Sequence, residues 1–169
     1  MMRPRWILVS LYVAAVVQLG WIASQMPAVV ATHYDGAGHP NGWMTRAGMV
    51  AFQLGILAVT AGAFLGVPVL IGRLSPNLIN IPNREYWLSP ERRGSTVAAL
   101  QNLVAGMGCG VVLLLIAVTK LLHRANLTTP PRLSSAALLA CLGGFLAYIV
   151  GSLVALYRRF PKPPSPQRT

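Results

Sequence analysis

Two histidines and an aspartate stand close together at His33, Asp35 and His39, in the segment Thr32–Trp43, which reads THYDGAGHPNGW. Imidazole and carboxylate groups ligate metals, carry protons and hydrogen-bond polar ligands. The segment holds two His, one Asp, three Gly and one Pro in twelve positions, beside chain made mostly of Leu, Val, Ala and Gly. As a zinc site its spacing is irregular. A catalytic zinc also needs a general base, and the Glu residues, Glu85 and Glu91, lie in another loop. As a nucleophilic site it offers only the Thr32 hydroxyl and no Cys. No catalytic residue, metal or cofactor is therefore assigned, and an enzyme is the least favoured function class.

The same residues read more readily as an ordered lid. Asp35-Gly36, Gly38 and Asn41-Gly42 are turn signals. Pro40 fixes one φ, and the Asp35 carboxylate accepts backbone N–H bonds that hold a turn. Tyr34 and Trp43 are suited to the membrane interface. An ordered loop with two imidazoles is a natural docking place. The candidate ligand-binding residues are His33, Asp35, His39, Asn41 and Trp43.

Four long apolar runs must position this loop. The chain has 169 residues, of which 54% are hydrophobic and only 10% charged, where a soluble domain carries about 25% charge. The runs cover about 6–25, 47–72, 97–122 and 136–157. Each approaches or exceeds the ~20 residues that cross a bilayer as a helix. Backbone groups cannot stay unpaired in lipid, and period-two alternation is absent, so helices rather than a barrel are expected. The first run is longer than the ~7–15-residue core of a signal peptide, so it is read as a span. Ser89, Pro90 and Glu91 predict that the third helix starts before its apolar run, at Pro90, with Ser89 as N-cap. Pro130-Pro131 must separate the third and fourth helices. The predicted fold is all-α: a polytopic four-helix transmembrane bundle with an ordered extracytoplasmic loop, one domain over 1–160. A Pro-rich tail, 161–169, is expected to be disordered.

The net charge is +11, from 14 Lys and Arg against 3 Asp and Glu. Too little aqueous chain exists for a nucleic-acid-binding domain, so the charge is read as positive-inside bias and attraction to anionic lipid. Ten basic residues fall in the N-terminal segment, the second loop (Arg73, Arg84, Arg92, Arg93) and the C-terminal tail, against four (Arg46, Lys120, Arg124, Arg132) on the other side. Both termini are expected to be cytoplasmic, with Thr32–Trp43 outside. Cys109 and Cys141 fall inside apolar runs and are packing residues.

Small residues recur every fourth position at Gly143, Ala147, Gly151 and Ala155 and at Ala58, Gly62 and Gly66, with Ala98, Asn102, Gly106 and Gly110 in the same relation. That spacing lets helices approach closely in lipid. Packing within the bundle is the preferred reading, and a homodimer seam through Gly143, Ala147, Gly151 and Ala155 is the alternative. Gln18, Gln53, Gln101 and Asn102 are the main polar residues in the spans. They serve as interhelical hydrogen-bond partners or, if they share one pathway, as the lining of a transporter or channel.

The order Met26-Pro27, Val30, His33-Tyr34-Asp35, Gly38, Pro40-Asn41-Gly42 and Arg46 resembles the domain of unknown function at the N-terminus of bacterial SdpI-type immunity proteins. Asn80–Leu88, followed by Ser89-Pro90-Glu91-Arg92-Arg93, is similar to a segment of short relatives. The resemblance covers roughly the first 95 residues. It implies a bacterial cytoplasmic-membrane protein that protects against a secreted peptide toxin and signals to a membrane-bound partner. It departs in having only two spans after the second loop. The resulting expectation is a non-enzymatic immunity or sensor protein. The outer loop would meet an extracellular peptide or envelope ligand. The 73–95 loop, through Asn83, Arg84, Tyr86, Trp87, Arg92 and Arg93, would meet a cytoplasmic partner. A small transporter or channel is the alternative.

Overall fold

The computed structural model describes residues 4–162. Helix α1 (Pro4–Gln25) leads into strands β1 (Val29–Tyr34) and β2 (Pro40–Thr45). Helix α2 (Arg46–Arg73), a single 3-10 turn at Pro76–Leu78 and the short helix α3 (Arg84–Trp87) follow. The long helix α4 (Pro90–Asn126) and helix α5 (Ser135–Arg159) complete the order. Helices α1, α2, α4 and α5 are long and apolar enough to cross a membrane, which marks a multi-pass membrane protein. Of the C-terminal tail, 163–169 lie outside the described residues. Pro161, expected to be disordered, is held: its carbonyl accepts from Asn83 Nδ2 at 3.3 Å and Trp87 Nε1 at 3.2 Å.

The helix ends follow local chemistry. Thr45 caps α2, its Oγ1 accepting from the Gly48 N–H at 3.1 Å, and Ser134 caps α5 through the Ala137 N–H at 3.3 Å. Helix α4 starts at Pro90 as expected. Ser89 occupies the N-cap position, but its hydroxyl does not close the cap and accepts instead from Arg92 Nη1 at 3.3 Å.

The all-α expectation is corrected. The chain is not purely helical: the expected ordered loop is an antiparallel hairpin with Val29 opposite Thr45, Val30 opposite Met44 and Ala31 opposite Trp43. The β-branched run Val29-Val30, with Thr32, suits a strand, and pairing satisfies the backbone that a bare loop near lipid would leave open. The four helices do not contribute equally to the core. α1, α2 and α4 pack on one another around Leu8, Ala15, Leu57, Ala105 and Val112. Among the helices, α5 leans chiefly on α4 and buries no residue.

Glycines on α4 explain that arrangement. A Cβ at Gly108 would stand 2.7 Å from Phe64 Cβ, so α2 sits against bare backbone there. On the α5 side, a Cβ at Gly110 would lie 2.6 Å from the Tyr148 ring, and the Tyr148 hydroxyl donates to the Gly106 carbonyl at 2.7 Å. The Gly106/Gly110 pair thus packs within the chain. Gly143, Ala147, Gly151 and Ala155 are all exposed, as are Ala58 and Gly62. For these the preferred intramolecular reading does not hold; on α5, the aromatic edge rather than the small residues faces α4.

Candidate ligand site at the hairpin end

The hairpin is fastened at both its edge and its tip. In an antiparallel ladder alternate residues point their N–H and C=O away from the partner strand, and Ala31 does so toward α4. Asn126, in the last turn of α4, meets it. Its Oδ1 accepts from the Ala31 N–H at 2.8 Å, and its Nδ2 donates to the Ala31 carbonyl at 2.9 Å. The carboxamide therefore stands in for the third strand that β1 lacks. Nδ2 also lies 3.2 Å from the Tyr34 hydroxyl and 2.9 Å from the Leu122 carbonyl. Partial burial pushes the Tyr34 hydroxyl above the usual tyrosine range, and the bond from Asn126 pulls the other way. At the tip, the Leu133 N–H donates to the Gly38 carbonyl at 3.0 Å, and Ser135 Oγ donates to the Gly36 carbonyl at 3.0 Å. Gly38 has φ +81°, and any Cβ there would run into the Leu133 carbonyl. The connection between α4 and α5 thus clasps the hairpin.

Beneath it lies a cavity of about 380 Å³ between α1, α2 and α4, within the size range of small-molecule sites. Its walls are mostly apolar: Ala15, Met49, Phe52, Ile56, Leu57, Leu115 and Ile116 among them. Three polar side chains converge inside, Gln18, Gln53 and Thr119, and Thr32 and His33 stand at the hairpin side. Gln18 Nε2 donates to the Ile116 carbonyl at 2.9 Å, and the Thr119 hydroxyl donates to Gln53 Oε1 at 2.7 Å. The Gln53 amide nitrogen meets only the Met49 sulfur, at 3.6 Å. Each Gln therefore keeps hydrogen-bonding capacity facing the cavity. Neither carries charge, so this pocket suits an amphipathic group with uncharged polar atoms.

The five predicted ligand residues do not form one cluster. His33 lines the cavity and packs on Gly42, where a Cβ would come within 2.9 Å of its own Cβ. Asp35 and His39 form the turn: Asp35 Oδ1 accepts from the N–H groups of Ala37 and His39, each at 2.9 Å. The His39 ring lies 3.5 Å from Asp35 Oδ2. The backbone bond from His39 is the main cause holding the exposed Asp35 carboxyl below its ordinary range. Asn41 and Trp43 occupy the opposite, exposed face of β2. No group of three His, Cys, Asp or Glu converges among the described residues.

Of the predicted cytoplasmic contacts, several are engaged within the chain. Trp87 meets Phe160 edge-on at 5.5 Å, and Arg93 Nη2 donates to the Leu74 carbonyl at 2.8 Å. The Arg92 guanidinium sits 4.1 Å above the Tyr86 ring. Asn83 takes a left-handed φ of 54° and reaches Pro161. Arg84 makes one long contact, 3.4 Å to the Asn77 carbonyl, and is exposed. Asn83, Arg84, Glu85 and Tyr86 border an open depression.

Residues 10–59 match the profile of a domain of unknown function, DUF1648. That likeness covers less than a third of the 169 residues. The matched segment runs from Ser10 of α1 through the hairpin to Val59 of α2. It therefore supplies two walls of the cavity and the hairpin over it, while α4 closes the third side. The match stops short of the second loop, so the likeness seen at Asn80–Arg93 is not part of it. Searches of curated proteins and of solved structures returned no match.

The residues that sequence reasoning missed are Asn126 and Thr119. Asn126 sits at the end of an apolar run beside Arg124 and reads as a solvated helix terminus. Its partner, Ala31, is invisible until β1 is known to be a strand.

Proposed function

We propose that this protein is a non-enzymatic membrane binding protein of the immunity or sensor kind. It takes an extracellular peptide or envelope ligand at its hairpin end and answers through the 73–95 loop at the other end. The observation that carries this reading is the cavity beneath a hairpin clamped by Asn126 and Leu133. It is a preformed, largely apolar pocket with Gln18, Thr32, His33, Gln53 and Thr119 as its polar lining, the composition of a binding site rather than of a reaction centre. The orientation proposed is hairpin outward and both termini in the bacterial cytoplasm. It rests on the basic residues gathered at the terminal end, Arg73, Arg84, Arg92, Arg93, Arg158 and Arg159 among them.

A transporter would need Gln18, Gln53, Gln101 and Asn102 on one polar route. Gln18 and Gln53 share the hairpin-end cavity, whereas Gln101 and Asn102 line a separate crevice. The buried apolar layer Leu8, Leu57, Ala105 and Val112 belongs to the core of the same three helices, so the binding reading is preferred. Expression in bacteria sensitive to secreted peptide toxins tests it. Protection that is lost in Gln53→Leu at matched membrane levels supports the reading, and protection by neither form refutes it.

A further inference from the structure

At the terminal end, α1, α2 and α4 leave a second crevice, of about 160 Å³. It is lined by Arg5, Gln101 and Asn102 together with Phe64, Leu65 and Val69. Arg5 lies in the first turn of α1, so the crevice opens where that span begins. Gln101 is fixed: its Nε2 donates to the Pro68 carbonyl at 2.8 Å, which leaves its second N–H free. Arg5 and Asn102 stand exposed at the crevice mouth, and among the described residues neither side chain has a hydrogen-bond or ion-pair partner; the ion pair found is His39–Asp35 at the opposite end. A guanidinium and two amides thus face one apolar-walled recess at a helix end.

We infer that this crevice seats the phosphate of one anionic phospholipid, with Arg5 as the charged contact, Asn102 and Gln101 as donors, and the acyl chains lying along Phe64, Leu65 and Val69. The chemistry favours this occupant. A guanidinium pairs with phosphate through parallel N–H bonds, and basic pockets between spans hold anionic headgroups. The neighbouring apolar side chains suit the chains of a lipid and would add nothing for free phosphate. The surrounding charge has the matching sign, since Arg73, Arg92 and Arg93 lie at the same end, where the acidic residues are Glu85 and Glu91.

The test is native mass spectrometry of the full chain released from nanodiscs of phosphatidylcholine containing graded phosphatidylglycerol. One phosphatidylglycerol adduct per chain is expected, surviving where phosphatidylcholine is lost. Arg5→Gln should lower its apparent affinity about fivefold or more, and Asn102→Leu by a smaller factor, with Arg5→Lys partly restoring it. The double variant Arg158→Gln/Arg159→Gln is the control for diffuse attraction and should leave the adduct in place. Equal loss in that control would overturn the local site. Displacement by millimolar inorganic phosphate would overturn the lipid as occupant. An adduct unchanged in Arg5→Gln, with the variant extracted as a folded chain, would overturn the proposal outright.

Discussion

Removing the Asn126 carboxamide should open the hairpin locally while leaving the helices in place. Ala31 is 1% exposed and Asn126 8% exposed, so Asn126→Ala strands the Ala31 N–H and carbonyl in a nearly dry contact. A buried polar group left unpaired costs about 1–3 kcal/mol. Two such groups give about 2–6 kcal/mol, and water entering beside the shortened side chain brings this to about 2–4 kcal/mol. The loss falls on local opening, because the helix core around Leu8 and Val112 is untouched. Amide hydrogen exchange in a nanodisc reads it directly. The paired amides of 29–45 should exchange about 30- to 700-fold faster, while α1 and α4 core amides keep their protection. Asn126→Asp, with an acceptor but no amide donor, should fall between. Hairpin exchange within about threefold of wild type in Asn126→Ala would refute the view that this side chain acts as the missing strand.

Other substitutions probe the remaining contacts. Gly110→Val places methyl groups where the Tyr148 ring lies 2.6 Å from a Cβ and should loosen α5 from α4 at a cost of about 1–3 kcal/mol, read as earlier thermal unfolding and new proteolysis in the 127–134 connection. Tyr148→Phe removes the 2.7 Å bond to the Gly106 carbonyl and should cost only about 0.5–1.5 kcal/mol by the same melt. The Asp35 carboxyl is held below its ordinary range by the His39 and Ala37 amides. Its contribution to the turn is present above the unfolded value of about 3.9 and is lost only as pH falls through the lower folded value, so the Ala37 amide should keep its hydrogen-bonded position down to pH ~5 and lose it below ~4. A transition near neutral pH that persists in Asp35→Asn would assign it to another group. In a Cys109→Ala/Cys141→Ala background, His33→Cys should react with an impermeant maleimide on intact cells and Arg158→Cys only after permeabilisation, and the reverse pattern would invert the proposed topology.

The spans were legible because lipid imposes a simple code: long apolar runs ended by Arg and Pro. Helix α4 was read to its first residue, since Ser89-Pro90-Glu91 is a local signal. The hairpin was not, because its strands are six residues each and rich in turn formers, so Asp35-Gly36 and Asn41-Gly42 looked like loop chemistry. The turn reading of Asp35 matches its two backbone bonds. The cavity was out of reach for a different reason. Gln18, Gln53 and Thr119 come from three helices, and their convergence depends on helix rotation, which a uniformly apolar surface encodes weakly. α5 makes the same point: its small-residue stripe is plain in the sequence, but which side meets α4 is set by where Tyr148 fits the bare backbone of Gly106 and Gly110.

The most direct test of the hairpin-end cavity as the binding site is a protection assay with the cavity itself altered. Bacteria expressing the wild-type chain or the Gln53→Leu/Thr119→Val pair, at matched membrane levels, would be challenged with secreted peptide toxins. These replacements keep the bulk of two cavity-lining side chains and remove their hydrogen-bonding groups. The account predicts survival with the wild-type chain and sensitivity with the paired variant, with hairpin exchange unchanged between them. Equal survival of both would contradict it.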